Sequence, residues 1–99
     1  MLNIRKQIEN GVAVFALAGR LDTLTAPELE HALDASLNDV STLTFDFSEL
    51  EYLSSAGLRV LLAAQKRMNR QGEMKIENVN ETIMEIFEVT GFTDVLTIA

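Results

Sequence analysis

The chain has 99 residues, which predicts one domain over 1–99, and its hydrophobic content of 47% is ordinary for a globular protein. It contains no cysteine, which excludes disulfides, thiolate nucleophiles and zinc–thiolate sites and fits a reducing, cytoplasmic environment. A formal net charge of −7 makes nucleic acids and anionic membrane surfaces unfavourable partners. The longest apolar run, Val12 to Ala18, is far shorter than the ~20 residues that span a bilayer.

The first part of the chain predicts a β-hairpin. Residues Leu2 to Glu9 alternate between polar and apolar, and Asn10-Gly11 is a dipeptide that favours a tight turn. Val12 to Ala18 then predicts a second strand, antiparallel to the first and largely buried.

A helix is predicted next, because apolar residues recur at helical spacing. Thr25-Ala26-Pro27-Glu28 matches a capping box, in which Thr25 caps the helix and Glu28 reaches back to the Thr25 amide. Leu29, Leu33 and Leu37 then form one apolar stripe, and the helix is expected to end near Asn38.

The remaining chain alternates between strand and helix periods. The expected elements are a strand Val40–Phe47, a helix from Ser54 to about Arg70 stopped by Gly72 in the C′ position, a strand Met74–Val79 and a helix Glu81–Val89 closed by Gly91. The tail is open: Val95–Ile98 fits an edge strand and Phe92–Asp94 fits a helical turn. The order predicts a small α/β domain with a mixed, mostly parallel sheet, an N-terminal β-hairpin and helices packed on it.

Three polar positions are expected at the carboxyl ends of strands, where α/β sheets usually carry their functional groups. Asp22 and Thr23 follow the second strand, Asp46 and Ser48 end the third, and Ser54-Ser55 open the following helix. If those strands are parallel neighbours, the three loops face one partner.

No enzyme class is indicated. The only histidine, His31, lies inside the first helix without a nucleophile nearby, and no Gly-x-Ser-x-Gly elbow, phosphate-binding glycine loop or metal-ligand spacing is present. Asp22 and Asp46 are the one carboxylate pair to consider, but nothing in the sequence separates their pKa values. We therefore predict no catalytic residue, no cofactor and no metal site.

The serine pair has two interpretations. Serine is a favoured N-cap, which accounts for one of the two hydroxyls at the predicted helix start. The same helix start also suits a phosphate, because free amides and the positive end of the helix dipole face it. Arg59 lies one turn after Ser55 on the same face and could pair with that phosphate.

The predicted long helix also carries half of the eight basic residues of this acidic chain, at Arg59, Lys66, Arg67 and Arg70. A solvated helix face explains this pattern, and so does a surface that docks on an acidic partner. The sequence leaves both interpretations open.

Two motifs carry a family resemblance that covers essentially the whole chain. The stretch from Leu43 to Leu62, LTFDFSELEYLSSAGLRVLL, closely resembles the signature of STAS-domain anti-sigma factor antagonists. Upstream, Gly19 to Leu29, GRLDTLTAPEL, is similar to the loop that precedes the first helix of that family.

The resemblance implies a STAS domain and a binding cycle. The unphosphorylated antagonist binds an anti-sigma factor that is also a serine kinase of histidine-kinase-type ATPase fold, which releases a sigma factor. The kinase then phosphorylates the antagonist, and a metal-dependent serine phosphatase reverses the modification. The matching acceptor is Ser55, two residues before Gly57. The best-known members carry Asp at the position of Ser54, so this sequence departs there and leaves Ser54 as a second, less favoured acceptor.

The resemblance also implies the partner-binding residues, which are Asp22, Thr23, Ser54, Ser55, Gly57 and Arg59. Two other roles known for STAS domains stay open at this point. One is a scaffold in a signalling complex, and the other is an accessory domain in transport, including small-ligand or lipid transport. A neighbouring gene for a histidine-kinase-type ATPase or a phosphatase would favour the switch.

Overall fold

The computed structural model describes residues 1–99, and its elements follow one another in the predicted order. They are β1 (Leu2–Glu9), β2 (Val12–Leu21), α1 (Ala26–Ser36), β3 (Thr42–Leu53), α2 (Ser55–Gln71), β4 (Glu73–Glu77), α3 (Glu81–Thr90) and a 3₁₀ turn (Phe92–Asp94). The strands lie side by side in the order β1-β2-β3-β4. Because β1 is antiparallel to β2 and the other pairs are parallel, the predicted mixed α/β sheet is confirmed.

The N-terminal hairpin turns at Asn10 and Gly11, as predicted, and both residues have positive φ angles, 52° and 79°. The second strand differs from the prediction in two respects. It continues to Leu21, and it is buried only at alternate residues on one face, such as Phe15 and Leu17. A strand that is covered by helices on one side buries one residue in two.

The hydrophobic core lies between that face of the sheet and the helices. The parallel register sets Phe15 beside Phe45, with ring centroids 6.0 Å apart. Phe47 continues the row and stacks on Phe87 of α3 at 6.4 Å. On the opposite face, Arg5 and Lys75 are exposed. All three helices therefore draw on one shared core.

The central strand β3 is six residues longer at its carboxyl end than the predicted strand, which stopped at Phe47. The β2–β3 register shifts twice, between Ala16 and Ala18 and again between Gly19 and Arg20, and each shift accommodates one extra residue of β3. These bulges space the buried residues Phe47, Leu50 and Leu53 three apart instead of two. The alternation that marks a strand in sequence is thereby lost.

Two helix boundaries differ from the prediction in their chemistry. Thr25 is the N-cap of α1, but its side chain makes no capping hydrogen bond, so the predicted capping box is wrong. Gly72 ends α2 in an extended conformation rather than the left-handed C′ conformation. A Cβ atom on Gly72 would collide with the Ser41 carbonyl oxygen, so close packing explains this glycine.

The C-terminal tail contains both of the structures that the sequence left open. Phe92–Asp94 form the 3₁₀ turn, and Ile98 then makes a parallel bridge to Ile76 of β4. Leu96 between them is buried. The tail covers part of the outer edge of β4, which would otherwise expose unpaired backbone groups.

Candidate functional site

The ends of β2 and β3 place the predicted partner-facing loops side by side. Leu21 pairs with Leu53 at the last step of the parallel register, and the Ser54 amide donates to the Leu21 carbonyl oxygen at 2.9 Å. The loop that starts at Asp22 and the helix that starts at Ser55 therefore leave the sheet at the same end, where β2 and β3 terminate. This confirms the predicted neighbourhood for two of the three polar positions.

The third position, Asp46 with Ser48, is not at that end, and this prediction is wrong. Asp46 lies inside β3, where it pairs with Ala16, six residues before Asp22. At ~3.3 Å per residue this separates the two aspartates by roughly 20 Å along the sheet, which excludes an acid/base pair.

Asp46 has a structural task instead. Its Oδ1 accepts hydrogen bonds from the Ser48 amide at 2.9 Å and from the Asn78 side chain at 3.0 Å. These bonds hold the first bulge of β3 and the residue after β4 together. The bond from Asn78, followed by that from the Ser48 amide, holds the pKa of Asp46 below its ordinary value.

Asp22 organises the loop between β2 and α1. Its Oδ1 accepts from the Leu24 amide at 3.0 Å and from the Thr25 amide at 3.1 Å. The buried Thr25 hydroxyl donates to the Arg20 carbonyl oxygen at 2.8 Å and accepts from the Asp22 amide at 2.9 Å. Desolvation raises the pKa of Asp22, but the hydrogen bonds from Thr25 and Leu24 outweigh it, and the pKa lies below the ordinary value.

Ser54 is the N-cap of α2. Its backbone is extended, its side chain is half-buried, and its Oγ accepts from the Gly57 amide at 3.4 Å. The length of this bond makes it a weak one. The capping interpretation of the serine pair therefore applies to Ser54.

Ser55 is the first residue of the 17-residue helix α2 and is exposed. Its hydroxyl has no hydrogen-bond partner within the protein, which distinguishes it from the Ser54 hydroxyl. The amides of Ser55 and Ala56 have no intrahelical acceptor, because they lie in the first turn of the helix, whereas the Gly57 amide donates to Ser54. Ser55 is therefore an exposed serine at the N-terminus of the longest helix, as the phosphate interpretation of the serine pair requires.

Gly57 is buried beneath these serines, against the end of the sheet. A Cβ atom there would lie 2.7 Å from side-chain carbons of both Leu21 and Leu53. The glycine thus allows the first turn of α2 to approach β2 and β3 closely, and it sets the height of the two serines above the sheet.

Arg59 is exposed one turn after Ser55 and makes no ion pair, so its guanidinium is free for a ligand. Together with Thr23, Pro27 and Ala56 it lines a shallow groove between the N-termini of α1 and α2. Of the other basic residues on α2, Arg67 is turned toward α1, where it lies 3.7 Å from Asp34 and donates to Asn38 at 3.1 Å.

Three exposed residues at this end of the sheet were not predicted from the sequence. The Arg20 guanidinium lies 4.2 Å above the ring of Tyr52 and 3.7 Å from Asp22. Leu24 lies in the loop and is 85% exposed. For Leu24 the sequence did contain a signal, because this apolar residue stands between two threonines. The Arg20–Tyr52 stack depends on the second register shift, which has no signal in the sequence.

The other chemistry-bearing groups stay apart. His31 is exposed on α1, and nowhere do three or more His, Cys, Asp or Glu side chains come together in a way that could hold a metal ion. None of the helices combines the length and apolar character that crossing a bilayer requires.

A mixed four-stranded sheet with helices on one face and an exposed serine at the start of its longest helix defines a small α/β domain with a loop-and-helix surface. The model of the STAS domain family matches residues 3–99. The chain therefore belongs to the STAS domain family.

Two relatives and one solved structure illustrate this membership. The anti-sigma-B factor antagonist of Bacillus subtilis strain 168 is 32% identical, with 95% of this chain and 86% of that protein covered. The anti-sigma-B factor antagonist of Listeria monocytogenes is 29% identical, with 98% and 86% covered. The crystal structure of an anti-sigma factor antagonist from Mycobacterium paratuberculosis superposes with a TM-score of 0.89 at 25% identity, covering 99% of this chain and 85% of that one.

Proposed function

We propose that this protein is an anti-sigma factor antagonist whose binding is switched by phosphorylation of Ser55. The observation that carries the proposal is an exposed, unpartnered serine at the N-terminus of α2, next to the Asp22 loop, in a chain whose relatives bear the name of antagonists. Those names also favour this role over a scaffold or transport role. The function is binding, not catalysis, and its setting is the bacterial cytoplasm.

Ser55 is favoured as the acceptor over Ser54 for a geometric reason. The Ser54 hydroxyl accepts the Gly57 amide and is half-buried, whereas the Ser55 hydroxyl is exposed and unpaired. A kinase must reach the acceptor oxygen, and phosphate on Ser54 would displace a cap. Phosphorylation at Ser55 leaves the cap intact.

A phosphate on Ser55 is compatible with the fold. The N-terminus of α2 would stabilise the added negative charge by about 0.3–1 kcal/mol, and Arg59 one turn later supplies a cation. The surface charge changes by roughly −1.5 to −2. The signal is therefore a change in the surface that a partner meets, while the domain stays folded.

The partners that we propose for this cycle are those that the family resemblance implies. An anti-sigma factor that is a serine kinase of histidine-kinase-type ATPase fold binds the unphosphorylated surface formed by Asp22, Thr23, Ser55 and Arg59, which Ser54 and Gly57 position. A metal-dependent serine phosphatase restores that surface. A charge that meets a closely fitted partner without compensation costs several kcal/mol of binding free energy, which is enough to end binding.

The acceptor is identified by phosphopeptide mapping of the protein from its native cells. We expect the phosphate on Ser55. A phosphate found on Ser54 alone, or on Thr23 or Thr25, would refute the assignment.

The switch is tested with two variants at Ser55. We expect Ser55→Ala to keep the fold and the affinity for the anti-sigma factor but to resist switching, and Ser55→Asp to fold and bind weakly. Thermal unfolding and titration calorimetry separate stability from binding. Because aspartate carries only about half the charge of a phosphate, the phosphorylated protein is the deciding control. Tight binding by the phosphorylated protein, or melting of Ser55→Asp far below wild type, would contradict the proposal.

A further inference from the structure

The end of the sheet that carries Ser55 also holds a continuous patch, of which only Asp22 is among the partner-binding residues that the family resemblance implies. We call it the loop patch, and it consists of Arg20, Asp22, Leu24 and Tyr52. Contacts run through it without a break: Arg20 stacks on Tyr52 at 4.2 Å, pairs with Asp22 at 3.7 Å, and Asp22 accepts the Leu24 amide at 3.0 Å. Aromatic and arginine side chains are the types that protein interfaces favour.

Leu24 is the unusual member of the loop patch. Leu24 is 85% exposed, whereas every leucine from Leu29 to Leu61 is almost completely buried. A single exposed leucine needs no explanation by itself. This one differs because it lies on a fixed loop that leaves the sheet at the same end as the candidate modification site.

The loop holds Leu24 in place through its two neighbours. The Asp22 carboxylate accepts both the Leu24 and the Thr25 amides, and the buried Thr25 hydroxyl donates to the Arg20 carbonyl oxygen at 2.8 Å. The Ala26 amide closes the turn by donating to the Asp22 carbonyl oxygen at 2.8 Å. A side chain that is already positioned loses little conformational freedom when a partner covers it.

We infer that Leu24 is the apolar anchor of the partner surface, and that this surface extends from Ser55 across Asp22 and Leu24 to the Arg20–Tyr52 stack. The inference rests on the proposed function, because it takes the occupant to be the anti-sigma factor. That partner must then offer an apolar pocket for Leu24 close to the point where it meets Ser55. Asp22 acts in two ways: it is a polar contact for the partner, and its carboxylate positions Leu24 through the bond from the Leu24 amide.

The test is titration calorimetry of four unphosphorylated proteins. These are wild type, Leu24→Ala, Leu24→Met and the control Val89→Ala. Val89 is 76% exposed on α3, outside the loop patch, so it matches Leu24 as an exposed apolar side chain. The titrants are the purified anti-sigma factors of histidine-kinase-type ATPase fold that the same organism encodes.

We expect Leu24→Ala to bind about tenfold or more weakly than wild type, because the buried leucine side chain is lost from the interface. Leu24→Met keeps the apolar volume and should bind within about threefold of wild type, and Val89→Ala within about twofold. All four proteins should melt within a few degrees of one another, because neither position belongs to the core.

Two failures are distinguishable. If wild type binds one of these anti-sigma factors and Leu24→Ala binds it equally well, the anchor is wrong while the proposed function stands. If wild type binds none of them, the proposed function is wrong, and so is the inference that Leu24 anchors the partner. A loss of binding by Leu24→Ala that is accompanied by equal losses in Leu24→Met and Val89→Ala would also overturn the inference.

Discussion

Ser54 and Ser55 are adjacent in sequence and have different tasks at the start of α2. Ser54 accepts the Gly57 amide with its side chain, and Ser55 leaves its hydroxyl free. Position relative to the first helical turn decides this difference, because only the residue before the helix can cap it.

We predict that Ser54→Ala lowers the free energy of unfolding by about 0.5–1 kcal/mol, the lower part of the range for N-caps, because the capping bond is long. Chemical denaturation measures the change. Ser55→Ala is the matched control and should stay within about 0.5 kcal/mol of wild type. A larger loss for Ser55→Ala than for Ser54→Ala would contradict the division between the two serines.

Gly57 yields a second prediction at the residue scale. An alanine gains at most about 1 kcal/mol of helix propensity, but its Cβ meets Leu21 and Leu53 at 2.7 Å, and overpacking costs about 1–3 kcal/mol. We therefore expect Gly57→Ala to destabilise the protein by about 1–2 kcal/mol in a denaturant titration. Ala63→Gly on the exposed face of α2 measures the propensity alone and should lose about 1 kcal/mol. A stabilising Gly57→Ala would show that the helix start can move.

At the scale of the elements, the loop between β2 and α1 is organised around one carboxylate, Asp22. Asp22 receives two amide bonds, and its pKa lies below the ordinary value despite the opposing effect of desolvation. A carboxyl with a lowered pKa in the folded state stabilises the fold above its unfolded pKa and loses that effect as pH falls through the folded one.

We predict that wild type melts at a higher temperature than Asp22→Asn at pH 7, and that the difference is constant down to about pH 5. Below about pH 4 the difference should shrink, because Asp22 becomes protonated first in the unfolded chain and then, as pH falls through its lowered pKa, in the folded protein. Thermal unfolding of both proteins from pH 7 to about pH 2.5 tests this. Both proteins retain Asp46, whose pKa is also lowered, so its effect cancels in the comparison. A difference that persists unchanged at the lowest pH would contradict the role of the Asp22 charge.

At the scale of the whole molecule, one core serves every element. A single cluster of 25 buried residues includes residues of all four strands and all three helices. The row of four phenylalanines links β2 to α3 across β3. No helix has a core of its own, so none is expected to unfold separately.

We predict one cooperative urea transition. The protein has no tryptophan and one tyrosine, Tyr52. Its fluorescence therefore reports on the carboxyl end of β3, while circular dichroism reports on the helices. The two curves should coincide, with a slope of about 1–3 kcal/mol per molar urea. Separate midpoints for the two probes would show that the carboxyl end of β3 and the helices do not unfold together.

The sequence alone determined the order of the elements, the hairpin turn and the position of the serine pair at a helix start. These features follow from local rules, namely hydrophobic period, turn residues and the preference of serine for helix N-caps. The family motifs in Leu43–Leu62 and Gly19–Leu29 added the proposed acceptor and partner.

Only the tertiary structure decided the length of β3, the role of Thr25 and the place of Asp46. The bulges of β3 arise because β3 has more residues than β2 between the first and the last paired positions. This mismatch is defined only when the two strands pair. The Thr25 hydroxyl makes no capping bond because, in the folded loop, it donates to the Arg20 carbonyl oxygen and accepts from the Asp22 amide instead. For β3, pairing with a separate strand outweighed the local alternation, and for Thr25 the folded conformation of one loop outweighed the capping preference. Neither effect is visible in the pattern of residues along the chain, because both depend on which backbone groups come together in three dimensions.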